Sequence, residues 1–280
     1  MNNPPTYKHF LISEPFDFVR HVQINRPGKL NSFHQPMWIE LRQIFEQLSL
    51  DPNVRTILLS GTGERAFTTG LDVQAAAQSS VLGQSETIDG ARRALFIRRH
   101  IAEFQDCIST LEKCEKPVIC VMHGFTYGLG MDICTCADIR ICSADVKFAV
   151  KEVDIGLAAD IGTLTRLPKV VGNFGWVKDV SLTARTFGAD EAYRVGFVSH
   201  VRETKAQCIE MALELAVLLA SKSPVAVQGT KELLNHARDH SVADSLRYTG
   251  LWNSAALQTS DVERALLSGM NKTRPTFEKL

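Results

Sequence analysis

Hydrophobic and polar positions follow two rhythms in the first two hundred residues. Apolar residues recur at helical spacing between positions 35 and 48 and between 88 and 113, which predicts two helices. We expect a turn at Glu14-Pro15 and a short helix that starts at Gly130, after Gly128. Compact apolar runs bounded by polar residues, glycine or proline predict buried strands at 8–13, 18–25, 55–60, 117–122, 139–142 and 147–150. This order of strands and helices is typical of an α/β fold.

The pattern becomes purely helical after about residue 202. Thr204 and Gln207 have the spacing of a capping box, so a helix is predicted from there to position 219. Three further helices are predicted: two begin at Pro224 and at position 241, and the third is capped by Ser260 and Glu263. We therefore expect a core over residues 1–203 and a helical region over residues 204–280 that packs on the core or on a neighbouring subunit.

Charge and cysteine content narrow the function classes. The 31 basic and 31 acidic residues give a formal net charge of zero, which favours neither a nucleic acid nor an acidic membrane as partner. No apolar run approaches the roughly 20 residues that span a bilayer, and the polar start of the chain does not resemble a signal or transit peptide. The seven cysteines lack zinc-site spacing, so we interpret them as buried thiols in a reducing compartment.

Three carboxylates, Asp132, Glu152 and Asp160, are embedded among glycine, alanine and aliphatic residues. Apolar surroundings raise the pKa of a carboxyl toward neutrality, as a general acid or base requires. With no obvious metal or nucleophile nearby, the set favours proton transfer on carbon. Each residue also has a structural interpretation: Asp132 at a helix start, Asp160 as a helix N-cap and Glu152 in a solvated loop.

Several motifs, in order along the chain, resemble the crotonase, or enoyl-CoA hydratase/isomerase, superfamily. The motifs are Asn25-Arg26-Pro27 with Lys29-Leu30-Asn31-Ser32, Ala66-Phe67 with Gly70-Leu71-Asp72, Lys116-Pro117, His123-Gly124, Gly128-x-Gly130-x-Asp132 and Ala137-Asp138-Ile139-Arg140. Residues 151–163, 166–170 and 223–229 resemble the Δ3,5-Δ2,4-dienoyl-CoA isomerases within it. In that group a third carboxylate, matching Asp160, joins the two that ordinary hydratases carry at the positions of Asp132 and Glu152.

The resemblance implies a spiral core of β-β-α units that binds acyl-CoA over residues 1–203, and a helical trimerisation region over residues 204–280. It implies an isomerase of 3,5-dienoyl-CoA in fatty-acid β-oxidation that moves a proton from C2 to C6. Coenzyme A would be part of the substrate, no cofactor is expected, and the assembly would be a homo-trimer or homo-hexamer. The alternatives are a 2-enoyl-CoA hydratase, against which Asp160 argues, and a non-catalytic acyl-CoA- or RNA-binding scaffold.

The resemblance also assigns site residues. Asp132, Glu152 and Asp160 are expected to be catalytic. Either Glu152 or Asp160 would take the proton from C2, and the sequence does not decide between them. The backbone N–H groups of Leu71 and Leu129 would form an oxyanion hole, although the family usually has glycine at the second position. Substrate-binding roles are expected for Lys29, as a phosphate contact, and for Gly70, Gly128 and Gly130.

Two groups of residues are left with structural or open roles. His123, at the end of a predicted strand, is interpreted as a structural histidine. Phe125, Tyr127 and Trp252 belong either to the core or to an acyl pocket.

The last three residues, Glu278-Lys279-Leu280, match the peroxisomal address at two of three places. We therefore expect a peroxisomal protein recognised by an import receptor, with the mitochondrion and the cytosol as alternatives. No nucleic-acid partner is expected.

Overall fold

The computed structural model describes residues 7–77 and 89–280. The strands are β1 (Phe10–Phe16), β2 (Val19–Ile24), β3 (Thr56–Gly61), β4 (Ala66–Thr68), β5 (Val118–Met122), β6 (Phe125–Tyr127), β7 (Ile139–Ser143), β8 (Lys147–Ala149), β9 (Phe187–Gly188) and β10 (His200–Arg202). The helices are α1 (Gln35–Leu50), α2 (Val73–Ala77), α3 (Gly90–Lys113), α4 (Leu129–Cys136), α5 (Thr163–Val170), α6 (Phe174–Thr183), α7 (Ala189–Arg194), α8 (Lys205–Ala220), α9 (Pro224–Asp239), α10 (Val242–Ala256) and α11 (Ser260–Met270), with 3₁₀ turns at Pro27–Lys29 and Glu152–Ile155.

Ten strands form two sheets in the described part of the chain. The first has the order β1-β2-β3-β5-β7-β10 and the second the order β4-β6-β8-β9. Successive strand pairs β3/β4, β5/β6 and β7/β8 each contribute one strand to either sheet, and pairing along these series is parallel. The chain thus winds as a spiral of β-β-α units, which confirms the predicted fold class.

The six-stranded sheet is covered on both faces. On one face, β2, β3 and β5 pack with α1 and α3 in the main hydrophobic core. On the other, small buried residues at every fourth position of α8 lie against the alternate residues of the strands: Cys208, Ala212, Ala216 and Ala220. Small side chains at this spacing let the helix approach the sheet closely. Residues 205–220 therefore complete the sheet's packing, although they follow the predicted boundary at residue 203.

Two local expectations were wrong. The first hairpin does not turn at Glu14-Pro15, because β1 continues to Phe16 and Phe18 adopts a left-handed φ of 64° in the turn. Pro15 is tolerated because β1 is an edge strand whose pairing is irregular between Ser13 and Phe16.

The last helix is also capped one residue earlier than predicted. Its N-cap is Thr259, whose side chain accepts a hydrogen bond from the backbone of Asp261. The capping box of Thr204 and Gln207 is confirmed at the start of α8.

All seven cysteines are buried and unpaired by disulfides, as predicted. Burial raises the pKa of Cys136 and of Cys142 to about 12, so these thiols stay protonated near neutrality. Among residues 7–77 and 89–280, no group of His, Cys, Asp or Glu side chains has the arrangement of a metal site. The same described ranges contain no helix with the length and hydrophobicity needed to cross a membrane.

Candidate active site

Two backbone turns meet at the ends of β4 and β6. Gly70 has a φ of +89°, and a Cβ on it would lie 2.8 Å from the carbonyl oxygen of Tyr127 and 3.3 Å from the backbone nitrogen of Leu129. Leu71 follows Gly70, and Leu129 is the first residue of α4. Neither of these two N–H groups donates to an acceptor within the described ranges. They are therefore neighbouring free donors, the arrangement of an oxyanion hole.

The conformation of the first turn is fixed by the early Asn-Arg-Pro segment. Arg26 Nη1 pairs with Asp72 at 2.8 Å and donates to the carbonyl oxygen of Ser32 at 2.9 Å. The Asn31 amide donates to the carbonyl oxygen of Ala66 at 3.0 Å. The hydrogen bond from Arg26 lowers the pKa of Asp72, which keeps the pair ionised. These contacts of the motif hold residues 66–72 in place.

Glu152 opens the 3₁₀ turn after β8 and lies beside the second turn. Its Oε1 would be 3.3 Å from a Cβ on Gly128, whose φ is +51°. The other oxygen, Oε2, is buried without a hydrogen-bond partner in the described structure. Burial first, and then the charge of Asp132, raise the pKa of Glu152 to about 7. A carboxyl with this pKa can accept and return a proton near neutral pH.

Asp132 is buried on the first turn of α4. Its Oδ1 accepts hydrogen bonds from the backbone N–H of Thr163 at 2.6 Å and from the Thr163 hydroxyl at 2.7 Å. Burial raises the pKa of Asp132 to about 6, and the bonds from Thr163 oppose that rise. The side chain therefore connects α4 to the start of α5 instead of capping its own helix.

Asp160 is exposed in the loop before α5 and lines a cavity of about 430 Å³. Its carbonyl oxygen accepts a bond from the Gln105 amide of α3 at 2.5 Å. Partial desolvation raises the pKa of its carboxyl, while the field of His100 lowers it. The N-cap interpretation is wrong, because Gly162 is the N-cap of α5 and no side chain caps it.

The negative charges of Asp132 and Asp160 affect the pKa of Glu152. The charges of Asp132 and Asp160 both raise the pKa of Glu152, and Asp160 also raises that of Asp132. Ionisation of Asp132 or Asp160 therefore opposes ionisation of Glu152.

The other predicted residues have different surroundings. Lys29 is exposed at the end of its 3₁₀ turn, on the side of Asp72. Gly130 faces inward, since a Cβ there would lie 3.0 Å from a Thr68 methyl group. His123 is buried, its Nε2 is 2.8 Å from the carbonyl oxygen of Gly63, and burial lowers its pKa to about 4, which fits a structural histidine.

The three aromatic candidates lie in two different parts of the structure. Phe125 and Tyr127 are half-buried on β6, with ring centroids 5.3 Å apart. Trp252 lies on α10 and packs against α9, where its Nε1 would be 2.6 Å from a Cβ on Gly229. The residues that sequence reasoning missed, Thr163 and Gln105, carry no charge and act across the fold, so no local signal marked them.

Comparison with known proteins gives a consistent result. The family model described as Enoyl-CoA hydratase/isomerase matches residues 17–279. A Pongo abelii protein named Delta(3,5)-Delta(2,4)-dienoyl-CoA isomerase, mitochondrial, is 43% identical over 98% of this chain and 84% of its own length. An Arabidopsis thaliana protein with the same enzyme name, designated peroxisomal, is 39% identical over 94% of this chain and 93% of its own. The crystal structure of an enoyl-CoA hydratase from Bacillus anthracis superposes with a TM-score of 0.87 at 24% identity, covering 97% of this chain and 99% of that one.

Proposed function

The chain belongs to the enoyl-CoA hydratase/isomerase family, and from that premise we propose that it converts 3,5-dienoyl-CoA to 2,4-dienoyl-CoA in the β-oxidation of unsaturated fatty acids. Relatives at 39% to 43% identity carry the name of this isomerase over nearly the whole chain. The single observation that carries the proposal is the third carboxylate, Asp160: it lines a cavity between α3 and α5, and its charge raises the pKa of Glu152 and of Asp132.

The first step is removal of a proton from C2. The thioester oxygen accepts hydrogen bonds from the Leu71 and Leu129 N–H groups, which stabilise the enolate oxygen as it forms. Because C2 is bonded to the carbonyl carbon, its base has to lie beside this hole. Glu152 does, with Oε1 next to Gly128, so we assign the C2 proton to Glu152.

The second step returns a proton at C6. The electron pair released at C2 passes through the conjugated dienolate, the carbonyl re-forms, and the double bonds shift from C3=C4 and C5=C6 to C2=C3 and C4=C5. C6 lies four bonds from C2, so a second carboxyl is required. We assign this role to Asp160, which lies on the α3 side of the cluster. Asp160 starts protonated and gives its proton to C6, and the proton that Glu152 has taken is exchanged back through solvent before the next turnover. Asp132 raises the proton affinity of Glu152 by its negative charge.

Ultraviolet absorbance tests this function directly. Conversion of 3,5-dienoyl-CoA creates a diene conjugated with the thioester, so a new long-wavelength band appears. Hydration of 2-enoyl-CoA instead removes an absorbance band. Growth of the new band with purified protein is expected. Loss of 2-enoyl absorbance without any dienoyl conversion would overturn the proposal in favour of a hydratase.

Substrate binding and assembly complete the proposal. The exposed ammonium of Lys29 is available for a phosphate of coenzyme A. We expect a homo-trimer or homo-hexamer that uses the last helices, because large apolar side chains there are at least 66% exposed: Leu246, Leu251, Leu266 and Met270. Such a concentration of exposed apolar residues is typical of a protein–protein interface.

For the compartment we propose the peroxisome, with an import receptor as the partner. The proposal is supported by the Arabidopsis relative that is designated peroxisomal, whereas the Pongo relative is designated mitochondrial. Lys279 of the tail donates to Asn53 at 2.5 Å, so the tail lies on the folded body. Imaging the chain with a fluorescent protein fused at its N-terminus tests the assignment. Peroxisomal puncta that disappear when Lys279-Leu280 is deleted are expected, and mitochondrial fluorescence would contradict it.

A further inference from the structure

Arg166 lies on α5, behind the carboxylate cluster, and has no role in the reaction steps above. Its Nε donates to Glu112 at 3.0 Å and its Nη2 donates to the Ser109 hydroxyl at 2.8 Å. The side chains of Arg166 and Glu112 are only 12% and 17% exposed. A guanidinium that is held at two nitrogens in a largely buried place keeps one orientation.

The remaining nitrogen of this guanidinium, Nη1, and the Oδ1 of Asp132 both lie near Gly162. A Cβ on Gly162 would lie 2.0 Å from Arg166 Nη1 and 4.0 Å from Asp132 Oδ1, and the φ of Gly162 is +153°. Only glycine leaves room for the cation to approach the carboxylate here. A nearby opposite charge favours the ionised form of a carboxyl.

Asp132 and Glu152 therefore differ in the number of groups that stabilise their ionised forms. Asp132 has the two bonds from Thr163 and the nearby guanidinium, whereas Glu152 Oε2 has no partner in the described structure. The titratable and charged groups that act on Asp132 from the surrounding elements are Glu152, Asp160, Arg166 and the thiol of Cys136, with Glu112 and Arg238 behind Arg166. Arg166 is the positive group of this set whose charge acts on Asp132.

We propose that Arg166 is a positioning residue that sets the order in which Asp132 and Glu152 ionise: it holds Asp132 ionised, and Glu152, which ionises beside this negative charge, is then the stronger base for the C2 proton. This inference rests on the isomerase function proposed above, since it explains how Glu152 stays basic enough to act at C2. An ionised Asp132 repels negative charge on Glu152 and strengthens it as a base.

Removing the cation should exchange the order in which the two carboxyls titrate. Without Arg166, Asp132 binds its proton more tightly, and Glu152 then loses its proton next to a neutral neighbour. The titration midpoint of Asp132 rises and that of Glu152 falls, each by about one pH unit. Loss of a structural residue alone would not move the two midpoints in opposite directions.

The experiment compares Arg166→Met with the wild type. Carboxyl ¹³C NMR titrations of aspartate- and glutamate-labelled protein follow the two groups, and the resonances are assigned from Asp132→Asn and Glu152→Gln. The expected result is reversal of the two midpoints, with a fall in kcat for 3,5-dienoyl-CoA at pH values where Glu152 is already ionised, because Glu152 has become a weaker base. Arg166→Lys retains a cation, so it should keep the wild-type order.

The matched control is Arg185→Met, which removes another ion-paired arginine, bound to Asp179 and Glu191. It should leave both midpoints unchanged. Glu112 keeps Arg238 as a partner in Arg166→Met. If that variant does not fold, Ser109→Ala decides, because it removes one anchor and should shift Asp132 the same way by a smaller amount.

Unchanged midpoints in folded Arg166→Met, or in Ser109→Ala where it decides, overturn the inference. Because NMR needs no turnover, its failure is distinct from failure of the proposed function, which a wild-type protein inactive on 3,5-dienoyl-CoA would reveal.

Discussion

Replacing Gly70 with alanine should disable the oxyanion hole while leaving the carboxylates intact. The added Cβ would lie 2.8 Å from the Tyr127 carbonyl oxygen, closer than real contacts allow, and 3.3 Å from the Leu129 nitrogen. Both neighbours are backbone atoms and cannot rotate away, so the two turns must separate. Loss of one oxyanion donor costs about 2.7–4 kcal/mol, which is a 10²–10³-fold fall in kcat.

Backbone strain has to be separated from this crowding. Gly70 has a φ of +89°, and an alanine held there costs roughly 1–2 kcal/mol in stability. Gly196 is the matched control, because its φ is +80° and a Cβ there would meet nothing within 4 Å. Gly196→Ala should therefore carry the strain alone and keep near-normal turnover.

The assay is the growth of dienoyl absorbance at saturating substrate, with thermal melting to confirm that both variants fold. We expect kcat to fall in Gly70→Ala and not in Gly196→Ala, because the hole stabilises the enolate more strongly than the bound thioester. If folded Gly70→Ala turns over as fast as Gly196→Ala, the hole does not lie between these two turns.

Three further outcomes are expected. Asp160→Asn should fold normally and lose about 10²–10⁴-fold in turnover of 3,5-dienoyl-CoA; a wild-type rate would remove Asp160 from the reaction. Glu152→Gln should lose most activity, and the wild-type rate should fall as the pH drops through about 7, because Glu152 must be ionised to accept the C2 proton; a flat profile would contradict this role. Sedimentation should give a trimer or hexamer of the 31.0 kDa chain, and a monomer at micromolar concentration would refute assembly through the last helices.

The fold was predictable because its local signals agree. Each β-β-α unit contains a short apolar run of residues with β propensity, and the long helices have apolar residues at helical spacing. The prediction of the first hairpin is wrong because proline is also a common turn residue. An edge strand with irregular pairing accepts proline, and the strand order that makes β1 an edge is a property of the whole sheet.

The site was only partly predictable. The three carboxylates could be singled out because they are acidic residues in apolar sequence, and the resemblance linked them to one reaction. Their partners could not be found in the same way. Thr163 and Arg166 gain their roles from contacts with Asp132 and Glu112, which lie more than 30 residues away in the chain. Nothing in the local sequence distinguishes them from ordinary residues of an amphipathic helix.

Leu129 shows how the hole can keep its geometry where the family usually has glycine. The left-handed conformation is carried by Gly128, with a φ of +51°, whereas Leu129 already has the helical backbone of the first residue of α4. Its side chain is 4% exposed and packs in the main hydrophobic core. A leucine at this place therefore buries its side chain in the core while its backbone N–H stays free to donate. Leu129→Gly should then be tolerated in turnover, while Leu129→Pro, which removes the N–H, should lose it in protein that still folds and binds a CoA thioester. Near-normal turnover by such a proline variant would mean that the donor is another residue of the glycine turn, Gly130.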